Sequence, residues 1–513
     1  MFYLLIIEGL FIITRAFFLS KYLYDWDAVQ YALALERYSI PLHQPHPPGY
    51  IFFVALGKLF YYLLKDANTA FLCSNFLFGG LTLVFLYLLA REVFSDLTGL
   101  IGCILFLFNP IFWFYGEVTS SYLVEACFST LLAYLSYKLL QIRNKDNILY
   151  ILALSLGISG GFRQDIPFFM LPLCLYAALS YTKSVRKLLL FFSIFCISVA
   201  MWYIPTLLLS GGYSTYSSLC RSLFLRMAGR SSIILGAPLI NHIAMLLSLM
   251  RWSIIGFGPF LLLLPWALRK GLSITKSQIV FFSLWILPSF MFFILIYIAK
   301  PGYTLIYLPG IYLFFGYVIE ILWKSCRRWV FVAGLISLIS LESVYFLFVS
   351  PLDRTRHPFL ELPFSQKTLY QNIITQLNWF GLLTRGYIVQ REAVLTSFIR
   401  AVKDLAYPHG NISIVVYDSS PLDWRRIMYY LPDYRVFYIG VASKMVFLAF
   451  HRSPVPLPPE IKFNGWIIWA ISPVSKSFHH LCNQTLLQPL ANDLPPIFFI
   501  SKEDGLPLTR LLP

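Results

Sequence analysis

The sequence reads Asp25-Trp26-Asp27 and, a short way downstream, His43-Gln44-Pro45-His46-Pro47-Pro48-Gly49-Tyr50. Both motifs follow an N-terminal segment that is apolar from residue 3 onward. Two acids and two histidines therefore stand where the chain first leaves apolar surroundings. Carboxyl and imidazole groups serve as general acids, bases and ligands, so these side chains are the first candidates for chemistry.

Composition places most of the chain in lipid. Of its 513 residues, 58% are hydrophobic and only 12% are charged, whereas soluble domains carry about 25% charged residues. Long apolar stretches recur up to about residue 349 and then stop. We therefore predict a polytopic α-helical membrane domain over residues 1–349 and a water-exposed C-terminal domain over residues 350–513.

Apolar runs of spanning length predict about eleven transmembrane helices. They cover approximately residues 2–20, 70–90, 97–115, 118–141, 148–162, 166–182, 188–209, 240–268, 277–299, 303–323 and 329–349. We expect the first to be retained, since it lacks the basic region and cleavage site of a signal peptide. The apolar stretch 50–64 is shorter and follows two prolines, so we expect it to lie at the membrane interface without crossing it.

Basic residues predict the orientation, because lysine and arginine accumulate in cytoplasmic connections. With the N-terminus inside, every connection predicted to be cytoplasmic is basic. These connections hold Arg91, Arg143, Lys145, Lys183, Arg186, Lys187, Arg269, Lys270, Lys276, Lys324, Arg327 and Arg328. The acids and histidines of the two motifs then lie outside the cytoplasm, as does the C-terminal domain. Nucleotide-activated substrates are cytosolic, so a site on that face needs a donor already carried across the bilayer.

The formal net charge of +16 has the same explanation, since basic residues gather in cytoplasmic connections and near lipid phosphates. No nucleic-acid-binding motif or basic tail is present, so we predict no nucleic-acid partner. The eight cysteines show no CxxC spacing, and most fall in apolar spans. Only Cys220 and Cys482 are expected to be exposed, and nothing in the sequence supports a disulfide between them.

The two acids of the first outer loop have two interpretations. They form either a solvated helix end, or a general base or metal-ligand pair. Carboxylates at positions i and i+2 do not share a helix face, so Asp25 and Asp27 would chelate one ion only from a loop. Spacing alone does not decide between these interpretations.

The run from His46 to Tyr50 predicts a rigid turn. Its prolines fix φ and exclude helix, and Gly49 lets the backbone turn into the next helix. Such a turn is either a plain interfacial connection or a device that positions His46, and the two roles are compatible.

Further polar residues gather at predicted outer helix ends. Glu117 is predicted at a helix start, where the helix dipole favours an acid. Arg163 and Asp165 form either a local ion pair or part of a site. The candidate substrate-binding residues are His43, His46, Tyr50, Glu117, Arg163, Asp165, Arg221, Arg226, Arg230, Lys300 and Tyr303.

Several of these are cations suited to phosphate. The loop 211–231 carries three arginines against the positive-inside trend, and they contact either lipid head groups or a substrate phosphate. If this stretch is helical, Arg226 and Arg230 share a face. Lys300-Pro301-Gly302-Tyr303 is either a tight connection or a further phosphate contact.

The C-terminal domain alternates strand and helix patterns. Residues 411–417 predict a buried strand, 422–430 a helix and 435–439 a second strand, which together indicate an α/β layer. The domain shows no Gly-rich phosphate loop, metal-ligand cluster or nucleophile elbow, and we expect it to bind or shield the acceptor.

These motifs resemble a known group of enzymes. Trp26-Asp27 and the run 43–50, followed by Phe112-Trp113 and Gly116-Glu117-Val118, look like the GT-C membrane glycosyltransferases. They are most similar to bacterial relatives of the protein O-mannosyltransferases that carry a His-Pro-Pro-Gly-Tyr motif. The likeness covers roughly residues 1–310, and Gly160-Gly161-Phe162-Arg163 and Lys300-Pro301-Gly302-Tyr303 fit it.

The resemblance implies an inverting transferase that moves a sugar from a polyprenyl-phosphate donor to a hydroxyl of a glycolipid, polysaccharide or protein. The reaction would occur on the non-cytoplasmic face of the plasma (inner) membrane. An acid of the first outer loop acts as the base in such enzymes. This role aligns best with Asp27, and Asp25 is the alternative because the relatives carry adjacent Asp-Glu. The C-terminal domain does not resemble the β-rich domain of the eukaryotic mannosyltransferases.

The expected partners are the lipid-linked donor, membrane lipids and a hydroxyl acceptor of unknown class. We predict no cofactor and no metal, because basic contacts at the leaving phosphate need none. One alternative is a transporter or flippase of a lipid-linked sugar, although no internal repeat is visible and the polar residues gather at one face. Another is a catalytically inactive assembly factor.

Overall fold

The computed structural model describes residues 2–141, 144–261, 263–298, 300–325, 327–353, 357–361, 367–409, 412–420, 422–440, 445–450, 453–457, 461–491, 494–495 and 497–511. The chain forms two compact units. The helical unit comprises Met1–Leu19 and Ala34–Leu347, and the mixed unit comprises Ser20–Leu33 and Phe348–Pro513.

The helical unit consists of apolar helices joined mostly by short connections, and the first part of its second helix belongs to the mixed unit. The helices are α1 (Phe2–Ala16), α2 (Trp26–Glu36), α3 (Ile51–Leu64), α4 (Ala67–Val93), α5 (Asp96–Phe108), α6 (Pro110–Glu117), α7 (Tyr122–Gln141), α8 (Asp146–Phe162), α9 (Asp165–Tyr181), α10 (Val185–Leu209), α11 (Tyr213–Ala228), α12 (Leu239–Leu261), α13 (Leu264–Lys270), α14 (Lys276–Leu295), α15 (Leu308–Ser325) and α16 (Arg328–Phe348).

Asn109 separates two of these helices within an apolar stretch. Its side chain accepts hydrogen bonds from the backbone N–H groups of Ile111 and Phe112, each at 3.0 Å, and thereby caps α6. Pro110 has no N–H with which to continue α5. The two helices are bent by 60° at this point, so the single helix predicted over 97–115 is in fact a broken pair.

Among the described residues, six helices are long and apolar enough to cross a membrane, or seven if the bent pair is one span. The six are α4, α7, α10, α12, α14 and α16. Helices α3, α8 and α9 are apolar but shorter. The predicted helical architecture is confirmed, whereas the count of about eleven spans stays a prediction. The span predicted over 240–268 is divided between α12 and α13.

Burial separates inner from outer helices in this unit. Helices α4 and α7 are mostly buried, whereas α10 and α16 are mostly exposed although they are the more apolar pair. Leu208 on α10 is 74% exposed and Trp329 on α16 is 69% exposed. Exposed helices that are apolar all round need an apolar solvent, which is typical of a multi-pass membrane protein.

The described residues of the mixed unit form one sheet and four further α-helices. The strands are β1 (Ile412–Tyr417), β2 (Arg435–Gly440), β3 (Met445–Phe450), β4 (Ser453–Pro456), β5 (Lys462–Ala470), β6 (Gln488–Pro489) and β7 (Phe498–Pro507). The helices are α17 (Leu369–Asn378), α18 (Arg385–His409), α19 (Trp424–Tyr430) and α20 (Lys476–Cys482). The sheet order is β4-β3-β2-β1-β5-β7-β6, with β1 parallel to β2 and β5 and the other pairs antiparallel.

The strand, helix and second strand predicted at the start of this sheet are confirmed as β1, α19 and β2. Residue 411, the first residue of the predicted strand, lies outside the described residues. Val415 of β1 and Ile439 of β2 pack with Trp469 of β5 in a buried apolar cluster. Buried parallel strands at the centre of a sheet are almost continuously apolar in sequence, which is why the sequence pattern identified these strands.

The segment Ser20–Leu33 belongs to the mixed unit although it directly follows α1 in the sequence. The backbone N–H of Lys21 donates to Glu392 Oε1 at 2.6 Å, and that of Leu23 donates to Tyr430 Oη at 2.7 Å. The loop that carries Asp25 and Asp27 is thus part of the same compact unit as the C-terminal residues.

Candidate active site

The predicted turn after His46 is present in the helical unit, and two tyrosine hydroxyls donate hydrogen bonds to its backbone. Gly49 has φ of +117°, a conformation that favours glycine. Its C=O accepts a hydrogen bond from Tyr38 Oη at 2.9 Å, and the C=O of Pro48 accepts one from Tyr216 Oη at 3.1 Å. A Cβ at position 49 would stand 2.5 Å from Tyr38 Oη, so the turn leaves room for glycine alone.

The structure brings two of the predicted residues of this turn together. His46 Nε2 lies 3.1 Å from Tyr50 Oη, within hydrogen-bond distance. Tyr50 is buried and precedes α3 with a left-handed φ of +48°. His43 lies at the other end of the turn, where its N–H donates to Ile40 O at 2.9 Å and closes a short 3-10 helix.

Arg163 is the centre of a buried polar cluster between α8 and α9. One of its terminal nitrogens lies 2.5 Å from a carboxylate oxygen of Glu125 and 2.9 Å from one of Asp165. The other terminal nitrogen donates to Ser121 Oγ at 2.8 Å. The predicted local ion pair of Arg163 and Asp165 is therefore present. Burial alone would lower the pKa of Arg163, but the carboxylates of Asp165 and Glu125 outweigh it and raise the pKa.

Three tyrosines surround this guanidinium. Its Cζ lies 4.6 Å from the ring centre of Tyr122 and 5.6 Å from those of Tyr50 and Tyr303. Such distances allow cation–π attraction. Tyr50 comes from the turn after His46 and Tyr303 from the connection after Lys300, so one arginine holds two motifs that are distant in the sequence.

The run Lys300-Pro301-Gly302-Tyr303 leads into a 3-10 helix, Pro301–Ile306, rather than a plain loop. Tyr303 packs edge-on to Tyr122 with ring centres 5.4 Å apart. Any Cβ at Gly302 would overlap the Tyr122 ring, so this glycine permits the close approach. Lys300 itself is half-buried just before this helix.

Glu117 lies at the C-terminal end of α6, not at a helix start as predicted. The helix dipole disfavours an acid there, so the carboxylate needs partners. Trp113 Nε1 donates to Glu117 Oε1 at 2.6 Å, and Arg15 of α1 attracts Glu117 electrostatically. Arg15 is fully buried and also donates to the C=O of Leu107.

The three arginines of the loop 211–231 are exposed and are only partly helical. Arg221 and Arg226 lie on α11, but the helix ends at Ala228 and Arg230 follows it. The predicted shared face of Arg226 and Arg230 is therefore wrong. Within the part of the chain that the structure describes, none of these three side chains makes an ion pair, so their charges are available to an anion.

Asp25 and Asp27 lie in the mixed unit at the beginning of α2. Asp25 Oδ1 accepts the N–H of Ala28 at 3.0 Å and caps the helix, while Asp27 sits in its first turn. The open loop from which both acids would chelate one ion is thus not formed, because Asp25 is used as a helix cap.

Arg425 lies against Trp26, the residue that precedes Asp27, inside the mixed unit. Its Cζ lies 5.0 Å from the ring centre of Trp26 and 4.9 Å from that of Trp424, and the two indoles pack edge to face at 5.2 Å. Burial lowers the pKa of Arg425 to about 10, and the carboxylates of Asp423 and Asp27 partly offset this. Arg425 therefore remains charged at neutral pH.

Two further arginines, Arg391 and Arg426, lie in the same region as Arg425. Arg391 of α18 is 3.9 Å from Asp423 and 5.0 Å from the ring centre of Tyr24. Burial and the neighbouring Arg391 lower the pKa of Arg426 to about 10. The loop that carries Asp27 is consequently packed among arginines and aromatic rings of α18 and α19.

No group of three or more His, Cys, Asp or Glu residues suited to a metal occurs among the described residues. Seven cysteines fall in the described ranges and all are free thiols; Cys196 and Cys482 are exposed and Cys220 is half-buried. The expectation that only Cys220 and Cys482 are exposed is wrong, because α10 turns Cys196 outward.

Sequence reasoning missed Glu125, Arg15 and Arg425. A signal existed for the first two, since an ionisable residue inside an apolar helix usually has a partner and often a function. Nothing in the sequence connects Arg425 with Asp27, because the two residues are far apart in the chain and interact electrostatically only in the fold.

Residues 37–189 match the family model described as the protein O-mannosyl-transferase TMEM260 N-terminal domain. The resemblance stated from the sequence is thereby confirmed. The matched stretch contains the turn after His46, Glu117 and the Arg163–Asp165 pair. A comparison with curated protein sequences found no match.

Two solved structures of ArnT share the fold. ArnT from Cupriavidus metallidurans bound to undecaprenyl phosphate aligns with a TM-score of 0.58 at 11% identity over 97% of both chains. Its apo form aligns with a TM-score of 0.56 at 12% identity over 97% of this chain and 96% of that one. An Archaeoglobus fulgidus oligosaccharyltransferase aligns with a TM-score of 0.45 at 11% identity over 83% of this chain and 63% of that one. The ArnT alignments extend over the C-terminal sheet as well as the helices.

Proposed function

We propose that this protein is an inverting glycosyltransferase that moves a sugar from a polyprenyl-phosphate donor to an acceptor hydroxyl. The observation that carries the proposal is the family match over residues 37–189, a stretch in which the turn after His46 and the Arg163 cluster form one packed arrangement. The ArnT structure bound to undecaprenyl phosphate supports a lipid-linked donor.

The proposed chemistry begins at Asp27. Its carboxylate removes the proton from an acceptor hydroxyl, and that oxygen attacks C1 of the sugar from the face opposite the lipid phosphate. The bond from C1 to the phosphate oxygen breaks, the anomeric centre inverts and the polyprenyl phosphate leaves with its electron pair. Asp25 is the weaker candidate for the base, since it already accepts the Ala28 amide.

The leaving phosphate requires cations. Arg221, Arg226 and Arg230 are exposed and free of carboxylate partners within the described residues, which supports them, with Lys300, as phosphate contacts. Arg163 is already paired with two carboxylates, so we assign it to holding Tyr50 and Tyr303 in place. Glu117 and His46 remain proposed contacts of the sugar or acceptor.

We further propose the membrane setting. The protein would be a multi-pass plasma (inner) membrane protein, with the membrane domain 1–349 and the C-terminal domain 350–513. Its active face would lie outside the cytoplasm, where the donor is presented after translocation. The bias of basic residues towards the other connections supports this orientation.

The test uses the full chain in proteoliposomes with radiolabelled undecaprenyl-phosphate mannose and a panel of serine- and threonine-containing peptides and envelope glycolipids. We expect label to enter an acceptor while undecaprenyl phosphate is released, and Asp27→Asn to abolish transfer without loss of folded protein. Movement of the intact donor across the bilayer without sugar transfer would indicate that the protein is a transporter and not an enzyme. Near-normal transfer by Asp27→Asn would remove Asp27 as the base.

A further inference from the structure

Two tryptophans join the segment that carries Asp27 to α19. Trp26 directly precedes Asp27, and Trp424 directly precedes Arg425. The two indoles pack edge to face with ring centres 5.2 Å apart, a favoured arrangement for aromatic pairs. The Arg425 guanidinium lies over the Trp26 ring, so this cation is held beside the residue that directly precedes Asp27.

The Arg425 guanidinium is confined there. It lies close to both indole rings, and its side chain is almost fully buried. Arginine is suited to such a site because its planar cation stacks on aromatic faces and still presents donors at its edge. A buried cation of this kind requires an anion, and Asp27 and Asp423 are the acids that attract it.

The other charged groups packed here are already engaged. Asp423 accepts the N–H of Arg426 at 2.9 Å and lies 3.9 Å from Arg391. On α18, Glu392 accepts the N–H of Lys21. On the first loop, Asp25 caps α2. Arg391 and Arg426 direct their electrostatic interactions to Asp423 and to tyrosines that include Tyr24.

We propose that Arg425 is a positioning residue for Asp27, which keeps that carboxylate ionised and oriented towards an acceptor hydroxyl. The inference rests on the proposed role of Asp27 as the base. It gives the C-terminal residues a part in the catalytic apparatus, since the cation that serves the base comes from α19. A nearby cation lowers the pH at which a carboxylate becomes protonated, so its removal shifts protonation to higher pH.

The first test needs no substrate. A water-soluble carbodiimide couples an amine to protonated carboxyls, and mass spectrometry of the peptide containing residues 25 and 27 gives the labelling midpoint of each acid. In Arg425→Gln we expect the Asp27 midpoint to rise by about one pH unit. Asp25 serves as the internal reference and should not move.

Arg426→Gln is the matched control. Arg426 is the next residue of α19 and is also buried, but its main electrostatic partners are Arg391, Asp423, Tyr430 and Tyr24. Its replacement should destabilise the unit without moving the Asp27 midpoint. Equal shifts in the two glutamine variants, or none in Arg425→Gln, would overturn the inference.

The second test uses transfer from undecaprenyl-phosphate mannose. The acid limb of kcat/KM should move to higher pH in Arg425→Gln and stay in place in Arg426→Gln. Arg425→Lys keeps the charge but loses the planar fork, so we expect an unchanged limb and a fall in kcat of about tenfold with KM preserved. If Arg425→Gln does not fold, Arg425→Lys becomes the decisive variant. A kcat of Arg425→Lys equal to that of the unaltered protein would then refute the positioning role.

The outcomes separate the two proposals. Suppose that the unaltered protein shows no transfer but the Asp27 midpoint shifts in Arg425→Gln. That result would refute the proposed function and still support an interaction between Asp27 and Arg425. Transfer that depends on Asp27 but shows no change in midpoint or acid limb on replacing Arg425 would remove the inference alone.

Discussion

A terminal nitrogen of Arg163 lies 2.5 Å from a carboxylate oxygen of Glu125, and both side chains are at most 4% exposed. Asp165 shares the same nitrogen at 2.9 Å, so one guanidinium compensates two acids. Burying charges costs free energy unless they are paired and hydrogen-bonded. The cluster is therefore maintained only while its cation is present.

Replacement of Arg163 by methionine should be strongly destabilising. It leaves two neighbouring acids without their cation in a buried site, and loss of one partner of a buried pair costs about 3–5 kcal/mol. Arg163→Lys should lose less, but lysine has no planar fork with which to contact Ser121 and both carboxylates. Thermal unfolding in detergent measures both variants. The control is Lys187→Met, which breaks an exposed pair with Asp146 and should leave the Tm almost unchanged.

Gly49→Ala should disturb the turn after His46. The substitution meets an unfavourable φ of +117° and also places a Cβ 2.5 Å from Tyr38 Oη and 2.6 Å from a methyl carbon of Ile40. Gly212→Ala is the control: it meets a similarly unfavourable φ of +97°, but it causes no steric clash because no atom lies within 4 Å of the Cβ position. We expect strain of about 1–3 kcal/mol in both variants and loss of transfer only in Gly49→Ala. Equal activities would show that the Tyr38 contact is unimportant.

Tyr430→Phe should loosen the loop that carries Asp27. The Tyr430 hydroxyl accepts the N–H of Leu23 at 2.7 Å, and its loss leaves a buried donor unsatisfied at about 1–3 kcal/mol. Hydrogen exchange followed by mass spectrometry should show faster exchange around residues 22–25. Tyr434→Phe is the control, because the Tyr434 side chain makes no hydrogen bond within the described residues. Unchanged protection in Tyr430→Phe would show that the hydrogen bond to Tyr430 is not needed to hold the segment.

The elements of this fold were predictable where one local pattern dominates. The apolar run 411–417 predicted β1, and the prolines with Gly49 predicted the turn, because burial and backbone restriction act on neighbouring residues. The break at Asn109 was not predicted, since the surrounding residues are apolar enough for one continuous helix. Its cause is a side-chain cap followed by Pro110, which hydropathy alone does not detect.

The candidate site was predictable only in part. Its residues were identified because charged side chains at apolar boundaries are unusual, but their partners depend on the tertiary fold. Glu125 pairs with Arg163, and Asp27 acts electrostatically on Arg425, although neither pair is close in the sequence. Glu117 was assigned to the start of the span predicted over 118–141, because the short helix α6 that ends at this residue was not recognised.

Charge reversal on α11 should weaken donor binding. Arg226 is exposed and unpaired within the described residues, and a hydrogen bond to a charged group contributes about 1.5–3 kcal/mol. Arg226→Glu should therefore raise the Kd for undecaprenyl phosphate in nanodiscs at least about tenfold, with little change in Tm. Lys183→Glu is the control, because this exposed lysine precedes α10 whereas Arg226 follows the other end of that helix. Equal losses in the two variants would indicate a general effect of surface charge, whereas a loss confined to Arg226→Glu supports a phosphate contact on α11.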